Sequence, residues 1–309
     1  MVSGDITVKD LYVYFPVREG LVKAVDGINI SFRHGSFTAI IGESGCGKSV
    51  LGQALLNILP DYADRSGGIL YRDTDIFGKI GLPENFYGKI FAVVPQNPGD
   101  SLNPVRRIGR QMDDVLQACG ISDRDNVRKL QCLRTFGMQE PERVLQMYPF
   151  ELSGGMQQRV LCAMSISCSP EWILADEPTK GLDEQVCGVV YSNLLQIKKS
   201  ASAGMIIITH DIKLARGVCD YVAVMYAGQI LEAGDNIFGK PLHPYTQAFL
   251  DSLPENGFIP MQGRAPSPGE PLQGCKFAAR CRYCSRKCLQ EVPPVYVRGN
   301  TSVRCYLYA

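Results

Sequence analysis

The sequence contains no long hydrophobic run. Its longest apolar stretches, such as Met205–Ile208, are far shorter than the roughly 20 residues that a helix needs to cross a bilayer. The N-terminal residues Met1–Asp10 are polar and lack the apolar segment of a secretory signal. We therefore predict neither a transmembrane helix nor a signal peptide. Any membrane pore that this protein serves must then be formed by separate subunits.

The chain also has almost no net charge, +1 over 309 residues, which gives no general argument for binding nucleic acid or anionic lipid. The charge is unevenly distributed, because the residues from Arg264 onward carry a net charge of +6 and leave −5 on the rest. The composition is otherwise that of an ordinary globular protein, with 45% hydrophobic and 20% charged residues. We find no internal repeat.

The order of patterns along the chain predicts an α/β fold. Short apolar stretches such as Phe37–Ile41 and Trp172–Ala175 are typical of buried strands, and they alternate with helical patterns such as Glu184–Lys199. We predict a mixed sheet core with a helical insert at about residues 103–165, all within one domain of residues 1–253. The prolines and glycines after residue 253 indicate a small, irregular, cysteine-rich C-terminal extension, residues 254–309.

The stretch after Phe37–Ile41 matches the phosphate-binding P-loop pattern G-x-x-x-x-G-K-[ST]. Its glycines let backbone N–H groups turn toward phosphates, and the helix beginning near Gly47 adds the positive end of its dipole. Lys48 supplies a compact cation, and Ser49 supplies a hydroxyl ligand for Mg²⁺. The alternative is a glycine-rich turn that matches by chance. The residues predicted to hold the nucleotide here are Gly42, Ser44, Gly45, Cys46, Gly47, Lys48, Ser49 and Val50.

Two adjacent carboxylates, Asp176 and Glu177, follow the apolar strand Trp172–Ala175. The carboxyl ends of strands are where α/β sheets bind ligands. We predict that Asp176 holds Mg²⁺, directly or through water, and that Glu177 orients or deprotonates an attacking water. An acidic loop that caps the next helix is the alternative, but the P-loop upstream favours a hydrolytic site.

The segment Leu152–Arg159 resembles the LSGGQ signature of ABC ATPases, and it ends 17 residues before the paired carboxylates. Ser153, Gly154 and Gly155 precede a predicted helix, Met156–Cys168, and would form an anion site at its N-terminus. The resemblance implies an ABC-type nucleotide-binding domain. In that family the signature completes the γ-phosphate pocket of a second subunit, which binds head to tail.

Other residues match the same family in the expected order, and the resemblance implies their roles. Gln96 would contact Mg²⁺ and sense the transmembrane subunit, Asp183 would contact the partner subunit, and His210 would contact the γ-phosphate and the water. Phe15 is predicted to stack on adenine, with Tyr14 as its competitor, since neighbouring residues of a strand face opposite sides. One departure precedes Asp183, where the sequence reads Lys-Gly-Leu and many relatives have Thr-Ala or Ser-Ala before the leucine.

The C-terminal part resembles the ATPases of oligopeptide, dipeptide and nickel importers, through Leu242–Gln247 and the spacing of its cysteines. That resemblance implies a [4Fe–4S] cluster. Four thiolates also suit Zn²⁺, or the cysteines could be free, and Cys284 leaves the fourth ligand open. We expect the basic residues nearby to lower the pKa of these thiols. The implied cluster ligands are Cys275, Cys281, Cys288 and Cys305.

The combined resemblance predicts the ATP-hydrolysing subunit of an importer at the cytoplasmic face of the membrane, with oligopeptides or dipeptides as cargo. Its expected partners are a second ABC ATPase in a heterodimer, two transmembrane permease subunits and an extracytoplasmic binding protein. Uptake of nickel or another small solute is the first alternative. A soluble ABC ATPase acting on nucleic acid is a remote one, since the chain has one nucleotide-binding domain and no long coiled coil between its motifs.

Overall fold

The computed structural model describes residues 4–18, 20–78, 81–95, 98–182, 184–267, 269–270 and 272–309. The strands are β1 (Ile6–Val17), β2 (Gly20–Phe32), β3 (Phe37–Ile41), β4 (Asp64–Tyr71), β5 (Thr74–Asp75), β6 (Phe91–Val94), β7 (Trp172–Asp176), β8 (Gly204–Ile208), β9 (Tyr221–Tyr226), β10 (Gln229–Gly234), β11 (Tyr296–Arg298) and β12 (Thr301–Val303). The helices are α1 (Lys48–Leu55), α2 (Pro98–Ser101), α3 (Ile108–Ala118), α4 (Val127–Thr135), α5 (Pro141–Gln146), α6 (Gly154–Ser167), α7 (Glu184–Ser200), α8 (Ile212–Val218), α9 (Pro244–Asp251) and α10 (Arg286–Gln290).

These elements form two compact units. Unit A consists of Asp5–Ser31, Thr38–Ile80 and Cys219–Ala309. Unit B consists of Phe32–Phe37 and Gly81–Val218, together with the N-terminal residues up to Gly4. No helix in the described ranges is long and apolar enough to cross a membrane.

Unit A contains two groups of strands. In the first, β2, β1, β4 and β5 lie side by side in that order, and β1 runs antiparallel to β4. In the second, the order is β11, β12, β10, β9 and β3, antiparallel except for the parallel pair of β3 and β9. Every residue of β3 is buried, which explains its apolar sequence and places the following P-loop at the end of a rigid strand.

Unit B combines parallel strands with the helical insert. β8, β7 and β6 are neighbours in that order and run parallel. Trp172 at the start of β7 is fully buried, and its indole Nε1 donates to the carbonyl oxygen of Gly4 at 2.9 Å. Among the helices after β6, α3 packs against α5 and α6, and α4 packs against α6. Lys129 on α4 is buried and forms an ion pair with Asp113 on α3.

The α/β class and the mixed strand directions agree with the sequence prediction. β3 has the predicted bounds, β7 extends one residue beyond the predicted Trp172–Ala175, and α7 begins at Glu184 as expected. Helix α6 begins at Gly154 rather than Met156, because Ser153 caps it and both glycines are in its first turn. Strands β10, β11 and β12 were not predicted from the sequence. β12 pairs with β10 and so adds C-terminal residues to the strands of unit A.

Candidate functional site

The P-loop of unit A packs closely against neighbouring backbone. Gly42 has φ +154°, and a Cβ there would collide with the carbonyl oxygen of Met225 on β9. Gly47 has φ +104°, and a Cβ there would collide with the carbonyl oxygen of Ala24 on β2. Glycine is therefore required at both ends of the loop, by conformation and by space.

Lys48 is at the centre of this loop. Its Nζ donates to the carbonyl oxygens of Gly42 at 2.8 Å and Glu43 at 3.0 Å, and the residue is buried. The loop carbonyls thus hold the ammonium group in a position where it would contact an anion bound by the loop. Helix α1 begins at Lys48 with Gly47 as its N-cap, a residue without a side chain that could cap the N–H groups of the first turn.

The other residues predicted to contact phosphate differ in their exposure to solvent. Ser44, Gly45 and Ser49 are exposed at the loop surface, and Val50 is half-buried in the first turn of α1. Cys46 is buried, with its Sγ 3.9 Å from the Nζ of Lys48. Burial raises the pKa of the Cys46 thiol, more strongly than the neighbouring ammonium lowers it. The thiol is therefore neutral, and Lys48 is the cation of the loop.

Unit B brings together two of the predicted catalytic residues. Glu177 follows the last residue of β7, and its Oε2 lies 2.6 Å from Nδ1 of His210. The Glu177 side chain is 11% exposed and that of His210 is 50% exposed, so the pair has a buried end and an open end. The Glu177 backbone has φ +47°, which is uncommon for a residue with a side chain. Its N–H donates to the carbonyl oxygen of Ile208 at 2.7 Å. Asp176 precedes it as the half-buried end of β7.

The turn after Glu177 explains the departure noted in the sequence. Gly181 has φ +76°, a conformation in which an alanine would be strained. The Sγ of Cys187 lies 3.7 Å from both the Thr179 and Leu182 carbonyl oxygens, and can donate a weak hydrogen bond to them. Glycine therefore suits the local backbone here. The predicted Asp183 and Gln96 lie outside the described residues.

The signature segment begins helix α6. The Ser153 side chain accepts a hydrogen bond from the backbone N–H of Met156 at 3.3 Å, as an N-cap does. A Cβ on Gly154 or Gly155 would meet no atom within 4 Å, and neither glycine has a positive φ. Glycine costs about 1 kcal/mol relative to alanine inside a helix. Among the described residues of unit B, no contact requires glycine at either position.

The two aromatic candidates for adenine stacking have different surroundings. The Tyr14 hydroxyl donates to Asp26 Oδ1 at 2.5 Å, and burial raises the pKa of this tyrosine. The Phe15 ring packs at a tilt against Tyr62, with 6.0 Å between the ring centroids. Tyr14 is thus held by its hydroxyl and Phe15 by ring contact alone. The choice of Phe15 stays a prediction.

The four predicted cluster cysteines line one cavity in unit A. The cavity has a volume of about 180 Å³, and its lining includes Cys275, Cys281, Cys288 and Cys305. Cys284 is exposed and does not contribute to the lining. Across the described part of the chain, no group of three His, Cys, Asp or Glu side chains is placed to hold a single metal ion. The four thiols are therefore neighbours around a space without converging on one point.

The predicted effect of the basic residues on these thiols is wrong. Burial raises the pKa of Cys275 to about 11, and burial also raises the pKa values of Cys281 and Cys305. The basic side chains expected to act, Arg280, Arg282, Arg286 and Lys287, do not outweigh this burial, and Arg280 is paired with Glu43 instead. Cys275, Cys281 and Cys305 therefore favour the neutral thiol, and a metal would have to displace their protons.

Two family matches cover most of the chain. Residues 25–180 match the family described as ABC transporter, and residues 231–288 match the C-terminal region described for oligopeptide/dipeptide transporters. The chain belongs to the ABC transporter ATP-binding family. The first match includes the P-loop, the signature and the paired carboxylates of this ABC protein. The second ends at Cys288 and so includes three of the four cavity cysteines.

Relatives of this ABC protein align with nearly its whole length. It is 35% identical to a probable peptide ABC transporter ATP-binding protein, y4tR, of Sinorhizobium fredii, over 93% of this chain and 90% of the relative. It is 36% identical to the dipeptide transport ATP-binding protein DppD of Haemophilus influenzae, over 97% of this chain and 94% of the relative. Among solved structures it is similar to cbiO1 of Clostridium perfringens, described as part of the ABC transporter complex cbiONQ, with a TM-score of 0.62, 27% identity, and coverage of 77% of this chain and 90% of that chain.

The family assignment confirms the ABC-type cassette and the ATP hydrolysis that the signature segment predicted. Within unit A the structure brings the P-loop residues together, and within unit B it places Glu177 against His210. The roles of these individual residues stay predictions. What the sequence analysis missed is a set of contacts between Glu43 of the P-loop and the C-terminal residues Tyr245 and Arg280.

Proposed function

We propose that this chain is the ATP-hydrolysing subunit of an importer for oligopeptides or dipeptides, attached to the cytoplasmic face of the membrane. The 2.6 Å contact between Glu177 and His210 carries the hydrolytic part of this proposal. The cargo class is supported by the match of residues 231–288 and by the peptide and dipeptide transport proteins among the relatives. We keep the proposed division between an ATPase domain, residues 1–253, and a C-terminal extension, residues 254–309.

Unit A supplies the grip on the phosphates. The N–H groups of the loop from Gly42 to Gly47 and of the first turn of α1 surround the anion, and Lys48 transfers its hydrogen bonds from the loop carbonyls to phosphate oxygens. Ser49 and Asp176 are proposed as Mg²⁺ ligands, because hydroxyl and carboxylate oxygens are the ligands that this hard cation prefers. Gln96 completes the proposed set but lies outside the described residues. Mg²⁺ would neutralise charge on the phosphates.

Unit B supplies the groups that activate water. Glu177 is placed to accept a proton from, or orient, the attacking water, and His210 holds the Glu177 carboxylate in one rotamer through its Nδ1. Because Glu177 is mostly buried and His210 is half-exposed, the histidine is the member of the pair that reaches the open side. There it can contact the γ-phosphate or the water, as the family resemblance implies.

The signature is proposed to act on the nucleotide of a partner ATPase. The open space around Gly154 and Gly155 supports this, since no contact with the described part of unit B explains glycine there and both residues would allow close approach of another molecule. Ser153 would direct its hydroxyl and the first N–H groups of α6 at a γ-phosphate. Asp183, outside the described residues, is the other proposed cross-subunit contact. The partner is a second ABC ATPase, with two permease subunits and an extracytoplasmic binding protein completing the importer.

Cargo uptake tests this proposal. Cells that lack this chain but keep the proposed partner subunits should lose uptake of a radiolabelled dipeptide or tripeptide, and expression of the chain should restore it. The matched measurement is uptake of radiolabelled nickel in the same two strains. Loss of nickel uptake with intact peptide uptake would reject the peptide assignment and retain the importer. Intact uptake of both would reject the importer itself.

The cavity cysteines suit a polynuclear cluster better than a single zinc ion. Four thiolates bound to one Zn²⁺ at about 2.3 Å lie about 3.8 Å from one another, so they converge on a point. Here the four cysteines line a cavity of about 180 Å³, and among the described residues no three such side chains are placed to hold one ion. We therefore propose Cys275, Cys281, Cys288 and Cys305 as ligands of a [4Fe–4S] cluster. When bound, the cluster would cross-link four points of the extension and could exchange an electron.

Loading of the cavity can be measured without reference to activity. Anaerobically purified or reconstituted protein should contain about four iron and four sulfide per chain and show visible iron–sulfur absorbance. Cys281→Ser should reduce the iron content and absorbance severely, whereas Cys284→Ser should leave both unchanged, because Cys284 is outside the cavity. A colourless protein with one zinc per chain would contradict the cluster. Equal losses in both variants would contradict the assigned ligand set.

A further inference from the structure

Glu43, the second residue of the P-loop, is held from two sides by the C-terminal residues of unit A. Its carboxylate Oε2 lies 3.0 Å from Nη1 of Arg280, whose side chain is 7% exposed. Its backbone N–H donates to the hydroxyl oxygen of Tyr245 at 3.1 Å, and Tyr245 is fully buried. Its carbonyl oxygen accepts from Lys48 Nζ at 3.0 Å. Any shift of Glu43 therefore acts directly on the P-loop lysine.

Both residues that hold Glu43 are next to the cysteine cavity. Arg280 immediately precedes Cys281, a cavity-lining cysteine. The Tyr245 ring packs against the ring of Phe277, another lining residue, with 5.4 Å between centroids. A continuous chain of contacts thus joins the wall of the cavity to the P-loop within one compact unit.

A second ion pair repeats the pattern. Lys276 immediately follows Cys275, and its Nζ lies 2.7 Å from Oδ2 of Asp26 on β2. Asp26 also accepts the hydroxyl hydrogen bond of Tyr14, next to the predicted adenine-stacking position. Two basic residues, each adjacent to a cavity cysteine, are therefore paired with acids of the nucleotide-binding part. These two ion pairs hold the cysteine segment in one position against the strands of unit A.

The cavity is also lined by a buried histidine. His243 lines it, is 1% exposed, and uses Nδ1 to accept from the backbone N–H of Tyr245 at 2.9 Å. Since Nδ1 is an acceptor, the ring hydrogen is on Nε2, which makes no hydrogen bond of ordinary geometry although the Arg304 backbone lies near it. A change in the contents of the cavity therefore affects His243, whose Nδ1 accepts the hydrogen bond of the Tyr245 backbone N–H.

We propose that the cysteine segment positions the P-loop, with Arg280 and Tyr245 as positioning residues that fix Glu43, so that the packing of the cysteine cavity sets the affinity for Mg-ATP. Neither residue needs to touch the nucleotide. Their effect passes through Glu43 to Lys48, whose ammonium group must be centred in the loop to meet the phosphates. The proposal uses the ATP binding of the family and does not depend on the cargo.

The affinity of the full chain for Mg-ATP, measured by titration calorimetry, tests the arginine. Arg280→Met keeps the length of the side chain and removes the charged hydrogen bonds, and it should weaken Mg-ATP binding about tenfold. Arg280→Lys should restore part of the affinity, because it keeps the charge. Arg282→Met is the matched control, since Arg282 is in the same segment, is exposed and does not contact Glu43. Equal affinities in Arg280→Met and Arg282→Met would overturn the proposal.

A double-mutant cycle separates positioning from general loss of stability. Glu43→Gln should weaken Mg-ATP binding to a similar degree as Arg280→Met, and the double variant should be no weaker than either one, because both remove the same contact. Thermal unfolding of each variant serves as the folding measurement. Additive losses of affinity, or losses that follow the unfolding temperature alone, would show that Arg280 is a structural residue without a positioning role.

Reciprocity gives an independent test on the chain without metal. If the cavity affects nucleotide affinity, then nucleotide must affect the cavity by the same coupling free energy. A non-hydrolysable ATP analogue with Mg²⁺ should slow the alkylation of the half-buried Cys281 and Cys288, with the exposed Cys284 as internal reference. Arg280→Met should abolish this protection. Protection of Cys284 to the same extent, or unchanged rates at Cys281 and Cys288, would reject the coupling.

Discussion

Glu177→Gln is expected to reduce ATP hydrolysis about a thousandfold while leaving Mg-ATP affinity nearly unchanged. Glutamine has the same shape but cannot accept a proton, and general-base contributions are typically about 10²–10⁴-fold. The amide can still bond Nδ1 of His210, so the pair and the backbone at residue 177 should keep their geometry. Phosphate release in the assembled transporter measures the rate, and titration calorimetry measures the affinity.

The control for this substitution is Glu142→Gln. Glu142 is an exposed carboxylate of the same unit, paired at the surface with Arg134, and its loss should change neither rate nor affinity. If the partner ATPase hydrolyses ATP at its own site, the assay must use a partner with the equivalent glutamate replaced. Hydrolysis at the normal rate in the doubly substituted assembly would remove Glu177 from the role of base. A joint fall in affinity and rate would instead indicate that Glu177 holds Mg²⁺.

The local part of the site was predictable because it depends on short-range patterns. Gly42 and Gly47 need conformations that glycine tolerates, and the strand before the loop is a five-residue apolar run, so the sequence alone specifies strand, turn and helix. The pairing of Glu177 with His210 joins residues 33 positions apart. No local pattern predicts that contact. The family resemblance was needed to infer that the two residues act in one site.

The start of α6 shows how a cap can outweigh intrinsic preference. Gly154 and Gly155 are poor helix formers, which favoured a start at Met156. Ser153 instead accepts the Met156 N–H, and that satisfied donor draws both glycines into the first turn. The consequence concerns the proposed anion site, because the N–H groups of the glycines themselves become the first ones of the helix.

The thiol prediction failed for a different reason. Basic residues near the cysteines in sequence were expected to lower the pKa of the thiols, but burial raises it, and Arg280, one of those residues, is paired with Glu43. Arg280 and Glu43 are separated by 237 positions, and an ion pair at that separation leaves no periodic or local signal. This ion pair is also the contact that connects the cysteine segment to the P-loop.

Lys48→Ala should remove most of the affinity for Mg-ATP, about a hundredfold, and abolish hydrolysis at this site. Charged hydrogen bonds contribute about 1.5–3 kcal/mol each, and the buried ammonium group is placed to transfer two of them to phosphate. Lys48→Arg should not restore function, because the planar guanidinium cannot fit the point-charge position among the loop carbonyls. Lys9→Ala, an exposed lysine of unit A, is the matched control.

Transport by the assembled importer decides what the loss of Lys48 means for the whole machine. If the two ATP sites must both close, Lys48→Ala abolishes peptide uptake even with an intact partner subunit. An assembly that carries Lys48→Ala and still takes up peptide at the normal rate would show that the partner's P-loop suffices, and would make this subunit regulatory. In that event the contact between Arg280 and Glu43 would be part of a nucleotide sensor. Arg280→Met should then alter peptide uptake, while each ATP bound at the partner site should still be hydrolysed at the same rate.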